Sequence, residues 1–300
     1  MGRIDDALRR AGAENPADAL PAPAAKGAFV APWTFDAGAE ASPVAEAHPE
    51  SAASDPTLIG EAEATVDVAF SRAWKDRLAI SESAKPELVE QFRSLAAALL
   101  RLRASANLKV VMVTSAEPGD GKTFVAVNLA LVLSESYRRR VLLVDADLRR
   151  PSIREFSEIS DRPGLSEALK ARADQKLSVL RISETLTLLP AGRPDPDPMS
   201  GLTSARMKHI VNEAAARFDW VVLDVPPMGP VPDASLLAGM TDGTLLVVRA
   251  GQTPCAAVQK AIEGLGRDRI LGVVLNGADY EGTTYYGGYY GRSGTAETTR

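Results

Sequence analysis

Lys122 and Thr123 stand directly behind Pro118-Gly119-Asp120-Gly121, a turn that interrupts the apolar run Val110–Val113. A short apolar, mostly β-branched run reads as a strand covered on both faces, and a helical pattern begins at Lys122. A strand, a glycine-containing loop and a helix N-terminus together form a phosphate cradle, because loop N–H groups and the positive end of the helix dipole face an anion. In the pattern G-x-x-x-x-G-K-[ST] the lysine reaches the terminal phosphates and the hydroxyl ligates Mg²⁺. The expected nucleotide-binding residues are Glu117, Pro118, Gly119, Asp120, Gly121, Lys122, Thr123 and Phe124. Ala116 occupies the place of the first glycine, so the match is incomplete. The competing reading is an ordinary strand–turn–helix with an exposed lysine.

Two acidic segments follow. Asp145 and Asp147 end the run Val141–Asp145, and a spacing of two places both on one face of an extended chain. Paired carboxylates beside a phosphate loop suit Mg²⁺, a hard cation that prefers oxygen. One of them could also accept a hydroxyl proton; solvated acidic caps at a strand end are the plainer alternative. Asp224 follows Val221, Val222 and Leu223, the Walker B pattern, whose aspartate holds the metal mostly through water. Such a pattern occurs widely on its own, and its position beyond a phosphate loop is what gives it weight. Pro226 and Pro227 fix the exit from that strand, because proline locks φ. Asn128 and Asn276, the second at a strand end, are candidates for a place near the nucleotide, and neither is assigned to the site.

These segments need a scaffold. Apolar strand candidates (110–114, 141–145, 186–189, 220–224, 244–249, 270–275) alternate with helical patterns at 122–136, 152–159, 166–173, 204–217, 233–238 and 254–265. Alternation of this kind predicts an α/β fold, a doubly wound and mostly parallel sheet, with ligands beyond the carboxyl ends of the strands. The chain divides into a short amphipathic helix at 1–13, a disordered Ala/Pro/Glu/Ser linker at 14–67, a helical extension at 68–106, a P-loop domain at 107–278 and a flexible tail at 279–300. In the extension, Leu88, Phe92, Leu95, Leu99 and Leu102 recur at helical spacing. Five of the six tyrosines lie in the tail: Tyr280, Tyr285, Tyr286, Tyr289 and Tyr290.

Composition narrows the function. A net charge of −5 disfavours nucleic acid. A single cysteine, Cys255, excludes an internal disulfide and a cysteine-cluster metal site. His48 and His209 lack metal-ligand spacing. No run approaches the roughly 18 apolar residues of a membrane span, and a secretory signal is absent. The expectation is a cytoplasmic protein.

In TSAEPGDGKT, LLVDADLRRP, PGLSEAL, LTLLPAGRPDPDP, FDWVVLDVPP, TDGTLLVVRAGQT and GVVLNGAD, in that order, the sequence resembles the bacterial tyrosine kinases of capsule and exopolysaccharide biosynthesis. The tyrosine-rich tail is a further hallmark. The resemblance implies an ATP- and Mg²⁺-dependent autokinase. Lys122, Asp145, Asp147 and Asp224 are its catalytic set, and Thr123, Asp147 and Asp224 its metal residues. Asp145 is the candidate base for the tyrosine hydroxyl, and the tail tyrosines are the phosphoacceptors. A phenol has a pKa near 10, so alignment and metal charge outweigh base strength. Arg149 and Arg150 match the family's basic position, as phosphate contacts or as surface arginines.

Glu90 and Arg93 match an activation and oligomerisation helix, although Ala96 replaces its usual basic residue. The family further implies homo-oligomers, through the tail and the N-terminal helix, and a protein-tyrosine phosphatase. It also implies a separate membrane-anchored chain-length partner with an activating cytoplasmic segment, which would recruit the protein to the inner face of the plasma membrane. Phosphates add about −1.5 to −2 charges each, so the tail would act as a charge switch. Two alternatives are a partition-type ATPase, whose signature loop lysine is not matched at Glu117 or Pro118, and a nucleotide-dependent scaffold without catalysis.

Overall fold

The computed structural model describes residues 58–60, 78–155, 162–171, 176–229 and 232–278. The helix expected at 1–13, most of the 14–67 linker and the tail at 279–300 lie outside them. The description opens with α1 (Pro86–Ala106), which starts with proline in its first turn and ends at Asn107, whose left-handed φ of 49° closes the helix onto Arg103. It buries Phe92, Ala96 and Leu99, one stripe at helical spacing. Then come β1 (Val110–Ser115), α2 (Lys122–Leu131), β2 (Val141–Asp145), α3 (Leu165–Lys170), β3 (Leu180–Arg181) and β4 (Leu186–Leu189). The remainder is α4 (Met199–Leu202), α5 (Ala205–Arg217), β5 (Trp220–Asp224), α6 (Asp233–Ala238), β6 (Gly243–Arg249), α7 (Cys255–Leu265) and β7 (Ile270–Asn276).

The seven strands form one sheet in the order β3-β4-β2-β5-β1-β6-β7. Only β3 runs antiparallel to its neighbour. Period-two alternation divides each central strand between two apolar layers. Met112, Leu142, Val144, Val221 and Leu223 pack on the side of α5, α6 and α7. Val111, Val113, Val141, Leu143, Trp220 and Val222 pack on the side of α1 and α2. The sheet is therefore covered on both faces, as continuous apolar strands require. Each fully buried Val or Leu contributes about 1.5–3 kcal/mol.

Three expectations are corrected. The disordered linker expected over 14–67 does not extend through residues 58–60. Leu58 and Ile59 are buried, Ile59 bridges Leu177, and the Glu213 carboxylate accepts their N–H groups at 2.7 and 3.1 Å. The helix expected across 122–136 turns π-helical at Val132–Ser136. In the stretch expected as helix over 152–159, a 3₁₀ turn covers Ile153–Glu155, because Ile153 donates its N–H to Asp145 and so holds the chain against β2.

Candidate active site

β2, β5 and β1 are consecutive in the sheet, so their carboxyl ends meet. Asp145 and Asp224 are register partners across β2 and β5. Continuing the alternation, both fall on the α2 side, beneath the start of that helix. The Lys122 ammonium stands 2.8 Å from Asp147 Oδ2, 3.5 Å from Asp224 Oδ1 and 3.2 Å from Thr123 Oγ1. The Thr123 hydroxyl also meets Ser152 Oγ at 2.8 Å. Asp145 accepts the N–H groups of Asp147 at 3.3 Å and Ile153 at 3.2 Å, and Asp147 accepts that of Arg150 at 3.1 Å. The two carboxylates thus wind the loop after β2 around themselves and keep their remaining lone pairs for the site.

Electrostatics sharpen this arrangement. Burial pushes Asp145 well above the ordinary carboxylate range, and Asp224 adds to the rise against the opposing pull of Lys122. Asp224 is raised too, chiefly by burial, with Lys122 and Thr123 opposing. Burial alone would lower Lys122, but Asp224, Asp147 and Asp145 outweigh it and hold the ammonium above the usual lysine value. One buried cation therefore serves three carboxylates.

The loop ahead of α2 is shaped by glycine and braced from β6 and β7. Gly119 and Gly121 have φ of 90° and 98°, and a Cβ at Gly121 would lie 2.0 Å from Asn276 Nδ2. Asn276 Nδ2 donates to the Asp120 carbonyl at 2.8 Å. The Asp120 carboxylate accepts the Glu117 N–H at 2.9 Å and the Thr253 hydroxyl at 2.7 Å. Ala116 is not among the positive-φ residues, so its methyl is accommodated where the motif has glycine. The first N–H groups of α2 have no intrahelical partner and remain for phosphate. Gly121→Ala combines a clash with a strained φ. It is expected to lower stability by about 1–3 kcal/mol and nucleotide affinity at least about tenfold, measured by thermal unfolding and by titration with a fluorescent nucleotide.

The donor set fits a Mg²⁺ ion held mainly through water and phosphate. Asp224 Oδ2 is buried without a hydrogen-bond partner, next to the Thr123 hydroxyl and Asp147. No cluster of three acidic, His or Cys side chains among the described residues would hold a metal alone.

Comparison with known proteins places this geometry. Residues 107–283 match the family model described as ParA, NUBPL iron-transfer P-loop NTPase. The sequence has one cysteine, no basis for the thiolate set of an iron cluster. The tyrosine-protein kinase YwqD of Bacillus subtilis is 34% identical over 224 residues, which cover 74% of this chain and 93% of that protein. The chain belongs to the bacterial tyrosine-kinase family.

The kinase is also 31% identical to the succinoglycan biosynthesis transport protein ExoP of Rhizobium meliloti, over 71% of the chain but only 29% of that longer protein. The kinase domain of the Escherichia coli tyrosine kinase ETK superposes with a TM-score of 0.59 at 29% identity, covering 71% of this chain and 80% of that one. As a P-loop kinase the protein binds a nucleotide with a divalent metal. No helix among the described residues is long and apolar enough to cross a membrane.

The kinase brings Lys122, Thr123, Asp145, Asp147 and Asp224 together and gives other expected residues different tasks. Asp120 is a brace, and the Phe124 ring packs on Phe92 at 5.7 Å, leaving its backbone to face a ligand. Arg149 does not contact the loop. It clamps the fully buried Asp233 at 2.6 and 3.2 Å and donates to the Pro196 carbonyl. Arg150 is exposed. Asn128 lies away from the site, fully buried, and accepts the Ala79 N–H at 2.6 Å. Glu90 and Arg93 pair with each other at 2.8 Å on an exposed face, whereas Ala96 is fully buried, a position where a cation would have no solvent. The tail tyrosines lie outside the described residues. Thr253, Ser152 and Asp233 had no sequence signal, because each joins the site through a partner distant in the chain.

Proposed function

We propose that this kinase uses ATP and Mg²⁺ to phosphorylate its own tyrosine-rich tail, and that it thereby regulates exopolysaccharide or capsule polymerisation and export. The observation that carries this reading is the single Lys122 ammonium shared by Asp147 and Asp224 at the mouth of the phosphate loop. Phosphoryl transfer asks for positioning and charge neutralisation. Of loop residues 117–124, Gly119, Gly121, Lys122, Thr123 and Phe124 present backbone N–H groups to the phosphates, the Glu117 N–H being held by Asp120 and Pro118 having none, and Lys122 swings from the carboxylates to the terminal phosphate. Thr123, Asp147 and Asp224 hold the metal. When bound, Mg²⁺ neutralises phosphate charge. Asp145, with a proton affinity raised by burial and by Asp224, accepts the hydrogen bond of the incoming tyrosine hydroxyl and aligns it.

The names of the relatives, tyrosine-protein kinase and succinoglycan biosynthesis transport protein, support the polysaccharide setting. In that setting a separate membrane-anchored partner supplies an activating cytoplasmic segment at the inner face of the plasma membrane. Subunits associate through the tail and the N-terminal helix, and a phosphatase resets the tail. Intact and tandem mass spectrometry after incubation with Mg-ATP tests the reading. Phosphates on Tyr280, Tyr285, Tyr286, Tyr289 or Tyr290 are expected, and their absence even with such a partner segment present would refute it.

A further inference from the structure

The opposite ends of the central strands carry a second feature. A cavity of about 640 Å³ opens there, within the size range of small-molecule sites. Arg140, Arg181 and Arg217 line it together with the apolar Val179 and Phe218, against one acidic group, Glu184. In a chain of net charge −5 this is a local concentration of guanidiniums, two of them paired with Glu213 and Asp219. It lies roughly 17 Å from Asp145, five strand steps along β2, and shares no residue with the phosphate loop.

The three guanidiniums differ in how firmly they are held. Arg217 is fixed by Glu213 at 3.2 Å and by the Ile59 carbonyl, so it supplies a positioned charge. Arg140 meets Asp219 at 3.5 Å with its side chain 65% exposed, a contact weak enough to exchange for a better one. Arg181 has no ion-pair partner among the described residues. Guanidinium forks match phosphate oxygens in planar, two-point fashion, and an apolar wall favours a ligand with a non-polar body.

We propose that this cavity is a second anion site, separate from the nucleotide site, that takes a phosphomonoester borne on an apolar or ring-containing body. The test uses the full chain saturated with Mg-ADP, so that the phosphate loop is filled. Phenyl phosphate is titrated by calorimetry, and vesicles of phosphatidic acid in phosphatidylcholine are compared with phosphatidylcholine alone by co-sedimentation. Saturable phenyl phosphate binding would identify a free small molecule, and binding to phosphatidic acid vesicles alone a lipid headgroup. In either arm Arg181→Glu should weaken binding at least about tenfold with ADP affinity unchanged. If charge reversal lowers the melting temperature, Arg181→Gln carries the same comparison. No binding in both arms, or equal binding by wild type and variant, overturns the proposal. Because the readout is binding beside bound ADP, it does not depend on tail phosphorylation.

Discussion

Lys122→Met is expected to lower the rate of phosphotyrosine formation about 10³-fold, the upper end of what removing one transition-state donor costs. The upper end applies because Lys122 is the cation shared by the buried carboxylates, its side chain 12% exposed. The rate should be measured in single turnover at saturating Mg-ATP, with nucleotide affinity measured in parallel. A variant within about threefold of wild type would remove Lys122 from the chemistry.

The same substitution should change the response to pH in metal-free protein. Asp145 and Asp224 have folded-state pKa values above their unfolded ones, so the native state holds protons that the unfolded chain releases. Stability then falls as pH rises from the unfolded carboxylate range through those raised values. Without Lys122 the values rise further, so the fall should steepen and extend to higher pH. Melting curves across that range show whether it does.

Arg149→Ala should be the most damaging substitution outside the phosphate loop. It leaves Asp233, fully buried, without its cation. Breaking a buried pair from one side costs about 3–5 kcal/mol. Since the Arg149 side chain is 26% exposed, the lower end is expected, a fall in melting temperature of about 6–12 °C. Adding Asp233→Ala should restore more than half of it. Arg149→Lys should not rescue, because an ammonium cannot make the two-point contact. Arg149 also ties the loop after β2 to the Pro196 carbonyl, so kcat should fall about tenfold while the KM for ATP stays within about threefold. An unchanged melting temperature for Arg149→Ala would show that the clamp contributes nothing to the fold.

The cluster of Lys122, Thr123, Asp145, Asp147 and Asp224 was legible because phosphate chemistry needs local sequence. A turn glycine, a lysine and a hydroxyl must be adjacent to serve one anion, and a carboxylate must close a buried strand to reach it. The strands were legible because they are covered on both faces and so read as apolar runs. What holds the loop was not legible. Asp120 looks like a turn residue until Thr253 is placed beside it, and Arg149 looks like a phosphate ligand until Asp233 is. The Ile59 bridge was hidden because three ordered residues sit in a stretch whose composition is that of a linker. The two-residue β3 is too short to show a period.

The bridge at Ile59 also gives the domain a direction. It anchors the chain beside the amino ends of the strands, near Arg217 and Phe218. At the other end of the fold, Asn276 closes β7 within hydrogen-bonding distance of Asp120. The polypeptide is therefore threaded from one pole of the domain to the other. Whatever precedes Leu58 joins at the pole away from the chemistry, and whatever follows Gly277 leaves at the catalytic pole. The described domain is thus entered beside the amino ends of its strands and left beside the phosphate loop, so its two points of attachment to the rest of the chain lie at opposite ends of the sheet.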